Sequence, residues 1–339
     1  MSAASGSGAG AAPAPPPSPP PRRRRVRVLA RDGGGMRGLY LMQVLRQLQR
    51  GLTRPLAEHF DLIVGTSNGA YVGAQLLAGR SFDEIEGSYE GFRSTLEANL
   101  AGTWMLLRRV VLGSSMPLGV AGDVLRALFG DVTLDALCAA AGAPQFAVVC
   151  ATADEDPPEP FVLRSYRPYA ADAGRACPGA TGVSTWEAIR ATTAAPVLFE
   201  APILAGRRLA DGALVANNPA IFALGEATVL WPDAEVSLLV SVGTGIAVPK
   251  PYAPSHAIGW VSHAFTMLIA THVEHLQARS LLPEAAYVRI DPEGVGHISP
   301  SEWRVSVLDE GKLVVAAWLD ANKELIDGAR ARIAAEAPP

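Results

Sequence analysis

Cysteine is scarce in this chain. Cys138, Cys150 and Cys177 are an odd number with no C-x-x-C pair, which fits reduced thiols in a reducing compartment, packed as small hydrophobes, rather than a disulfide framework. Long apolar runs are also missing. The longest stretch without Asp, Glu, Lys or Arg is 251–273, and Pro254, His256, His263 and several hydroxyl residues interrupt it. It suits a buried helix entered through a loop, not a membrane span. No apolar signal-peptide region follows Met1. Excess positive charge is lacking as well: the net charge is −4, and because residues 1–25 hold four Arg and no acid, the remainder carries −8. A body of that sign is a poor partner for nucleic acid. A cytoplasmic location follows as the expectation.

What is present begins with a tail. Residues 1–21 apart from Met1 are only Ala, Gly, Ser and Pro and cannot bury a core, so disorder is expected there. Arg22 to Arg25 follow as a solvated basic run. Contact with anionic lipid and organelle targeting are its sharper readings, although the proline run forbids the amphipathic helix of a transit peptide. Across the whole chain, 49% hydrophobic content supports a sizeable core. Strands and helices alternate without repeats or an internal linker, which predicts a single three-layer α/β domain over 26–335 with a central, mostly parallel sheet. Ser184-x-x-Glu187 predicts a capping box opening a helix. Long helices are expected over 256–282 and 314–333.

The stretch around which the chain is organised is Asp61-Leu62-Ile63-Val64-Gly65-Thr66-Ser67-Asn68-Gly69. An apolar strand runs into a serine flanked by glycines and then a helix, with the spacing G-x-S-x-G of a nucleophile elbow. A plain glycine-rich turn is the alternative. A second loop, Asp32-Gly33-Gly34-Gly35-Met36-Arg37-Gly38, joins the first strand to a helix. Gly33-x-Gly35-x-x-Gly38 matches a dinucleotide fingerprint, but that fold wants an acid ending the second strand, and here Asp61 begins it. The other readings are a structural turn and an oxyanion hole of bare N–H groups at a helix start.

A serine hydroxyl needs a base. His59 precedes the elbow, whereas His256, His263, His272, His275 and His297 lie late, where one of them would give a histidine-assisted α/β-hydrolase acting on soluble esters. His272-x-x-His275 beside Glu274 suggests a metal, but no third ligand is evident. Asp211, followed by Gly212 and Ala213 at an expected strand end, can approach the serine, and a carboxylate raised by burial can take its proton. A turn aspartate is the bland reading. The segment 104–112, with Trp104, Met105, Leu106 and Leu107 beside Arg108 and Arg109, reads either as a membrane-facing patch or as a core helix.

Taken together, the Asp32–Gly38 loop, Gly65-Thr-Ser67-Asn-Gly69 and Asp211-Gly-Ala213, in that order, resemble the patatin-like phospholipase family. The resemblance runs from Val26 to Gly245 and includes 191–196, Asn217-Asn218-Pro219 and Ser241-x-Gly243-Thr-Gly245. It implies a Ser–Asp dyad of Ser67 and Asp211, an oxyanion hole from Gly33, Gly34 and Gly35, and support of that loop by Arg37 and Gly38. Gly65 and Gly69 frame the elbow. The implied reaction is hydrolysis of phospholipid or other acyl-lipid esters at a peripheral membrane surface, without calcium, another metal or a cofactor. Arg31 departs from the apolar or small residue usual before Asp32, and Ala70 replaces a frequent second glycine. An idle membrane scaffold is the reading from another class.

Overall fold

The computed structural model of the chain describes residues 23–100, 114–116, 118–168, 174, 176–246 and 270–335. The tail through Arg22, the 104–112 segment, His256 and His263 lie outside them. The first half runs β1 (Arg25–Arg31), α1 (Gly38–Gln49), β2 (Leu62–Thr66), α2 (Asn68–Leu77), α3 (Phe82–Leu100), β3 (Ser114–Met116), α4 (Leu118–Phe129), α5 (Leu134–Leu137), β4 (Gln145–Thr152) and β5 (Pro160–Arg164). The second half runs β6 (Gly179–Thr181), α6 (Thr185–Thr192), β7 (Val197–Phe199), β8 (Ile203–Leu204), β9 (Arg207–Asp211), α7 (Ala213–Ala216), α8 (Ala220–Leu230), β10 (Glu235–Val242), α9 (His272–Leu281), β11 (Tyr287–Ile290), α10 (Val305–Ala321) and α11 (Lys323–Ala334).

The main sheet has the order β11-β10-β1-β2-β4-β5-β6. Its first five strands are mutually parallel, and β5 turns back antiparallel on β4. Both faces of the sheet are covered, so its central strands are buried on both sides; β2 reads as an apolar run, while β1 carries Arg27 and Arg31 and β11 carries Arg289. On β1, Val26, Val28 and Ala30 belong to one core while Leu29 belongs to the other. The larger core is closed by α1, which packs on α2, α3, α10 and α11. The smaller is closed by α8, which lies on β1, β2 and β10 with α9 beside it. Ala220, Ala223 and Ala227 give α8 a small-residue face that lets it lie close to the strands. Its one buried acid, Glu226, accepts two hydrogen bonds of 2.6 Å from Arg164 on β5 and one of 2.7 Å from Tyr166. A buried charge needs that degree of pairing.

Two local expectations are corrected. The closing helix over 314–333 is two helices, α10 and α11, divided at Asn322, whose Nδ2 donates to the Trp318 carbonyl at 2.8 Å and caps the first of them. Ser184 precedes α6 as anticipated, but its side chain makes no capping bond. Its backbone is instead drawn into an antiparallel bridge with Thr133, and the Thr185 N–H donates to the Val132 carbonyl at 2.8 Å. Of the helix expected over 256–282, the described part begins at His272.

Candidate active site

The pairing of β4 explains where Ser67 comes to lie. β4 offers one edge to β2 over 145–149 and the same edge to β9 over 150–152. β2 ends with Thr66 opposite Val149, and β9, running the other way, ends with Asp211 opposite Cys150. Two strands meeting end to end on one neighbour thus bring together residues 144 positions apart in the chain. The Ser67 hydroxyl donates to Asp211 Oδ2 at 2.7 Å, and both side chains are buried.

Ser67 sits at φ 50°, ψ −119°, a conformation that side-chain-bearing residues rarely adopt. So sharp a turn leaves no space beside it. A Cβ on Gly65 would lie 2.4 Å from the Ala70 nitrogen, and one on Gly69 would lie 2.2 Å from the Arg31 carbonyl oxygen. The Ser67 N–H donates to Thr192 Oγ1 at 2.9 Å. Asp211 is held at both ends: its N–H donates to the Ala194 carbonyl at 3.0 Å, and its Oδ1 accepts the Ala213 N–H at 2.9 Å. Burial pushes the Asp211 carboxyl up to about 6, against the pull of the hydrogen bonds from Ser67 and Ala213.

The glycine loop passes over the C-terminal ends of β1 and β10. Here the structure corrects one expectation. The Gly33 N–H donates to the Asn217 carbonyl at 3.0 Å and is therefore taken, while the Gly33 carbonyl accepts from Thr244 Oγ1 at 2.9 Å. The N–H groups of Gly34 and Gly35 donate to no acceptor among the described residues, and both glycines line the same cleft as Ser67 and Asp211. Arg37, buried, donates through Nη1 to the carbonyls of Gly245 at 3.2 Å and Gly296 at 3.4 Å. Gly38 opens α1 tightly under Asn68 and Tyr89, where a Cβ would lie 1.9 Å from Asn68 Oδ1.

Asp32, which precedes the glycines, reveals a partner that reading the sequence missed. Arg289 on β11 donates to Asp32 Oδ1 at 2.9 Å and Oδ2 at 2.5 Å, to Asp291 at 2.5 Å and to Ser241 Oγ at 2.7 Å. Burial raises the Asp32 carboxyl against Arg289's pull; burial opposes the Arg289 charge too, but Asp291 and Asp32 together hold that arginine above its ordinary value. The available signal was an arginine inside the otherwise apolar strand Tyr287-Val288-Arg289-Ile290.

The cleft measures about 1120 Å³ including its mouth. Its walls are mostly apolar, with Tyr71, Tyr89, Phe92, Leu198 and Phe199 among them, and carry the polar side chains of Asn68, Thr193, Asn217, Ser299 and Ser301 as well. The Tyr71 ring meets Tyr89 and Phe92 edge-on at 5.5 and 5.1 Å. Of the described histidines, His59, His272, His275 and His297, none lines the cleft. His275 instead lies 3.0 Å from the Tyr287 hydroxyl. Among the described residues no group of three His, Cys, Asp or Glu is placed to hold a metal ion, and no helix is long and apolar enough to cross a membrane.

With this geometry in hand, comparison with known proteins is specific. The family model described as patatin-like phospholipase matches residues 29–224. The chain belongs to the patatin-like phospholipase family. It is similar to phospholipase A I of Arabidopsis thaliana, at 31% identity over 78% of this chain and 24% of that protein. It is similar to calcium-independent phospholipase A2-gamma of Rattus norvegicus, at 31% identity over 88% of this chain and 39% of that one. A cGAMP-activated phospholipase of Pseudomonas aeruginosa is 32% identical over 75% of each chain. This patatin-like chain therefore spans only a quarter to two fifths of the length of the first two relatives. The family match contains the glycine loop, the Ser67 turn and Asp211, and ends before Thr244 and Arg289.

Proposed function

We propose that this patatin-like chain hydrolyses acyl esters of lipids, with phospholipids as the substrate class, and that Ser67 and Asp211 are its catalytic pair. Ser67 Oγ attacks the ester carbonyl carbon while Asp211 Oδ2 takes the hydroxyl proton. The oxyanion that forms is met by the N–H groups of Gly34 and Gly35, donors set in place before charge develops. Asp211 returns the proton to the departing alcohol. It then takes one from the water that attacks the acyl-enzyme and, as the tetrahedral intermediate collapses to the carboxylic acid, returns it to the departing Ser67 Oγ. Every step uses a side chain or backbone group of this chain. The catalytic unit is residues 26–335, working as a peripheral protein at a lipid surface, with the acyl chain laid along the aromatic wall of the cleft.

The observation that carries this reading is the buried 2.7 Å hydrogen bond from Ser67 to Asp211. Burial makes that carboxylate more basic than an exposed aspartate while leaving it ionised at neutral pH. The test is turnover of a short-chain ester and of phospholipid vesicles by Ser67→Ala and Asp211→Asn. Each should lose activity by roughly 10⁴-fold or more, and the double variant should be little worse, because groups that act as a unit are non-additive. A fluorophosphonate probe should label the parent at Ser67 and leave Ser67→Ala unlabelled. An Asp211→Asn enzyme with near-full turnover would remove Asp211 from the mechanism.

A further inference from the structure

The segment 191–196 is rich in small residues, and its effect on the site goes beyond letting α6 approach the sheet. Thr192 is the last residue of α6, and its side chain is fully buried. Its hydroxyl is used in both directions. Oγ1 accepts the Ser67 N–H at 2.9 Å and donates to the Val149 carbonyl at 2.5 Å. Val149 is the β4 residue opposite the end of β2, and Cys150, next along, is opposite the end of β9. Thr192 therefore sits over the seam where the two strands meet. Two residues later the same turn supplies the Ala194 carbonyl that accepts the Asp211 N–H at 3.0 Å.

Ser67 has left the β2 ladder, so its N–H needs an acceptor from elsewhere, and an unmet buried N–H is costly. The residue also holds a sparsely populated φ/ψ, which persists only where its surroundings over-determine it. We propose that Thr192 is a positioning residue for the reaction: its hydroxyl locks the Ser67 backbone and, through the turn it shares with Ala194, sets the distance between Ser67 Oγ and Asp211. The proposal rests on the Ser67–Asp211 reading. It assigns Thr192 no contact with substrate.

The test compares Thr192→Val, which keeps shape and removes the hydroxyl, with Thr192→Ser, which keeps the hydroxyl and removes the methyl. On a soluble short-chain ester, Thr192→Val should lower kcat roughly 10- to 100-fold, since small misplacements of reacting groups cost that much. KM should stay unchanged, and fluorophosphonate labelling of Ser67 should slow in parallel. Thr192→Ser should recover most of kcat. A valine variant with parental kcat, or a serine variant as slow as the valine one, would overturn the proposal. If the valine variant does not fold, Thr192→Ala against Thr192→Ser decides on the same terms: equal turnover of the two overturns it, and a slow alanine variant beside an active serine variant supports it. Ser67→Ala run alongside separates the two failures. If Ser67→Ala keeps its activity, the catalytic reading itself falls; if only Thr192→Val is unaffected, the positioning role alone falls.

Discussion

Asp211 and Arg31 are both buried charged residues, and they behave differently because only one of them is partnered. A protonated Asp211 cannot take the Ser67 proton, and burial lifts that carboxyl to about 6. With Asp211 as base, kcat/KM on a soluble ester should climb with pH, pass half its plateau near 6, and level off above. Cys150, the titratable group opposite Asp211 on β4, is held well above the ordinary thiol range by burial first and by Asp211 second, so it adds no limb near neutrality. A flat pH–rate profile between about pH 5 and 8 would exclude Asp211 as the base. Arg31, on the opposite face of β1 from Ala30, is fully buried, and its three guanidinium nitrogens find no hydrogen-bond partner among the described residues. Burial lowers it to about 9, against the influence of Tyr89. A Cβ on Gly73 of α2 would lie 1.7 Å from its Nη2, so this glycine is what leaves the arginine room. Gly73→Ala should therefore cost about 1–3 kcal/mol in the parent through overpacking. In an Arg31→Leu background the same change should stabilise by about 0.5–1 kcal/mol, the usual gain of alanine over glycine inside a helix. Arg31→Leu alone should raise stability by removing a buried cation without a partner. Urea unfolding of the four proteins reads the sign change, and one common sign for Gly73→Ala would show that the two side chains do not compete for space.

At the scale of elements, the glycine loop is a connection whose geometry is set from outside itself. β10 contributes Ser241, the residues just after it contribute Thr244 and the Gly245 carbonyl, and β11 contributes Arg289. The loop thus joins β1 to α1 in sequence but is fastened to strands that come some two hundred positions later. Arg289 is the centre of that fastening, because its fork satisfies Asp32 and Asp291 together. Arg289→Met should cost about 3–5 kcal/mol, the loss expected when one partner leaves buried charges uncompensated. Arg289→Lys should fall between, since an ammonium cannot present the planar fork that spans two carboxylates. Chemical denaturation midpoints measure both. A methionine variant as stable as the parent would mean that Asp32 and Asp291 do not depend on the arginine.

For the whole molecule, the parts of the candidate site were legible in proportion to how local their physics is. The serine turn could be read directly, because a sharp strand-to-helix reversal demands small residues at fixed offsets, and Gly65 and Gly69 stand there. The layered α/β class followed from alternating patterns, and the two-sided burial of β2 follows from its apolar run, whereas β1 is buried on both sides although Arg27 and Arg31 interrupt it. What could not be read was competition for hydrogen-bond partners. Nothing in Gly33-Gly34-Gly35 distinguishes three adjacent N–H groups, yet the Asn217 carbonyl takes the first. Likewise Ser184 carries the capping pattern, but a bridge to Thr133 claims its backbone, and Asn322 splits a pattern that periodicity alone would continue.

The sequence by itself determined the turn chemistry at Ser67, the glycine loop, the aspartate at the end of its strand, and the layered class of the fold, since each depends on neighbours within a few positions. Tertiary structure alone decided how Asp211, which the family resemblance had named, comes within reach of Ser67, that Thr192 Oγ1 and the Ala194 carbonyl accept their N–H groups, and that Arg289 anchors the loop. The physical reason is the shared edge of β4. A parallel strand and an antiparallel strand far apart in sequence meet end to end on it, and only the assembled sheet specifies which residues face each other across that join.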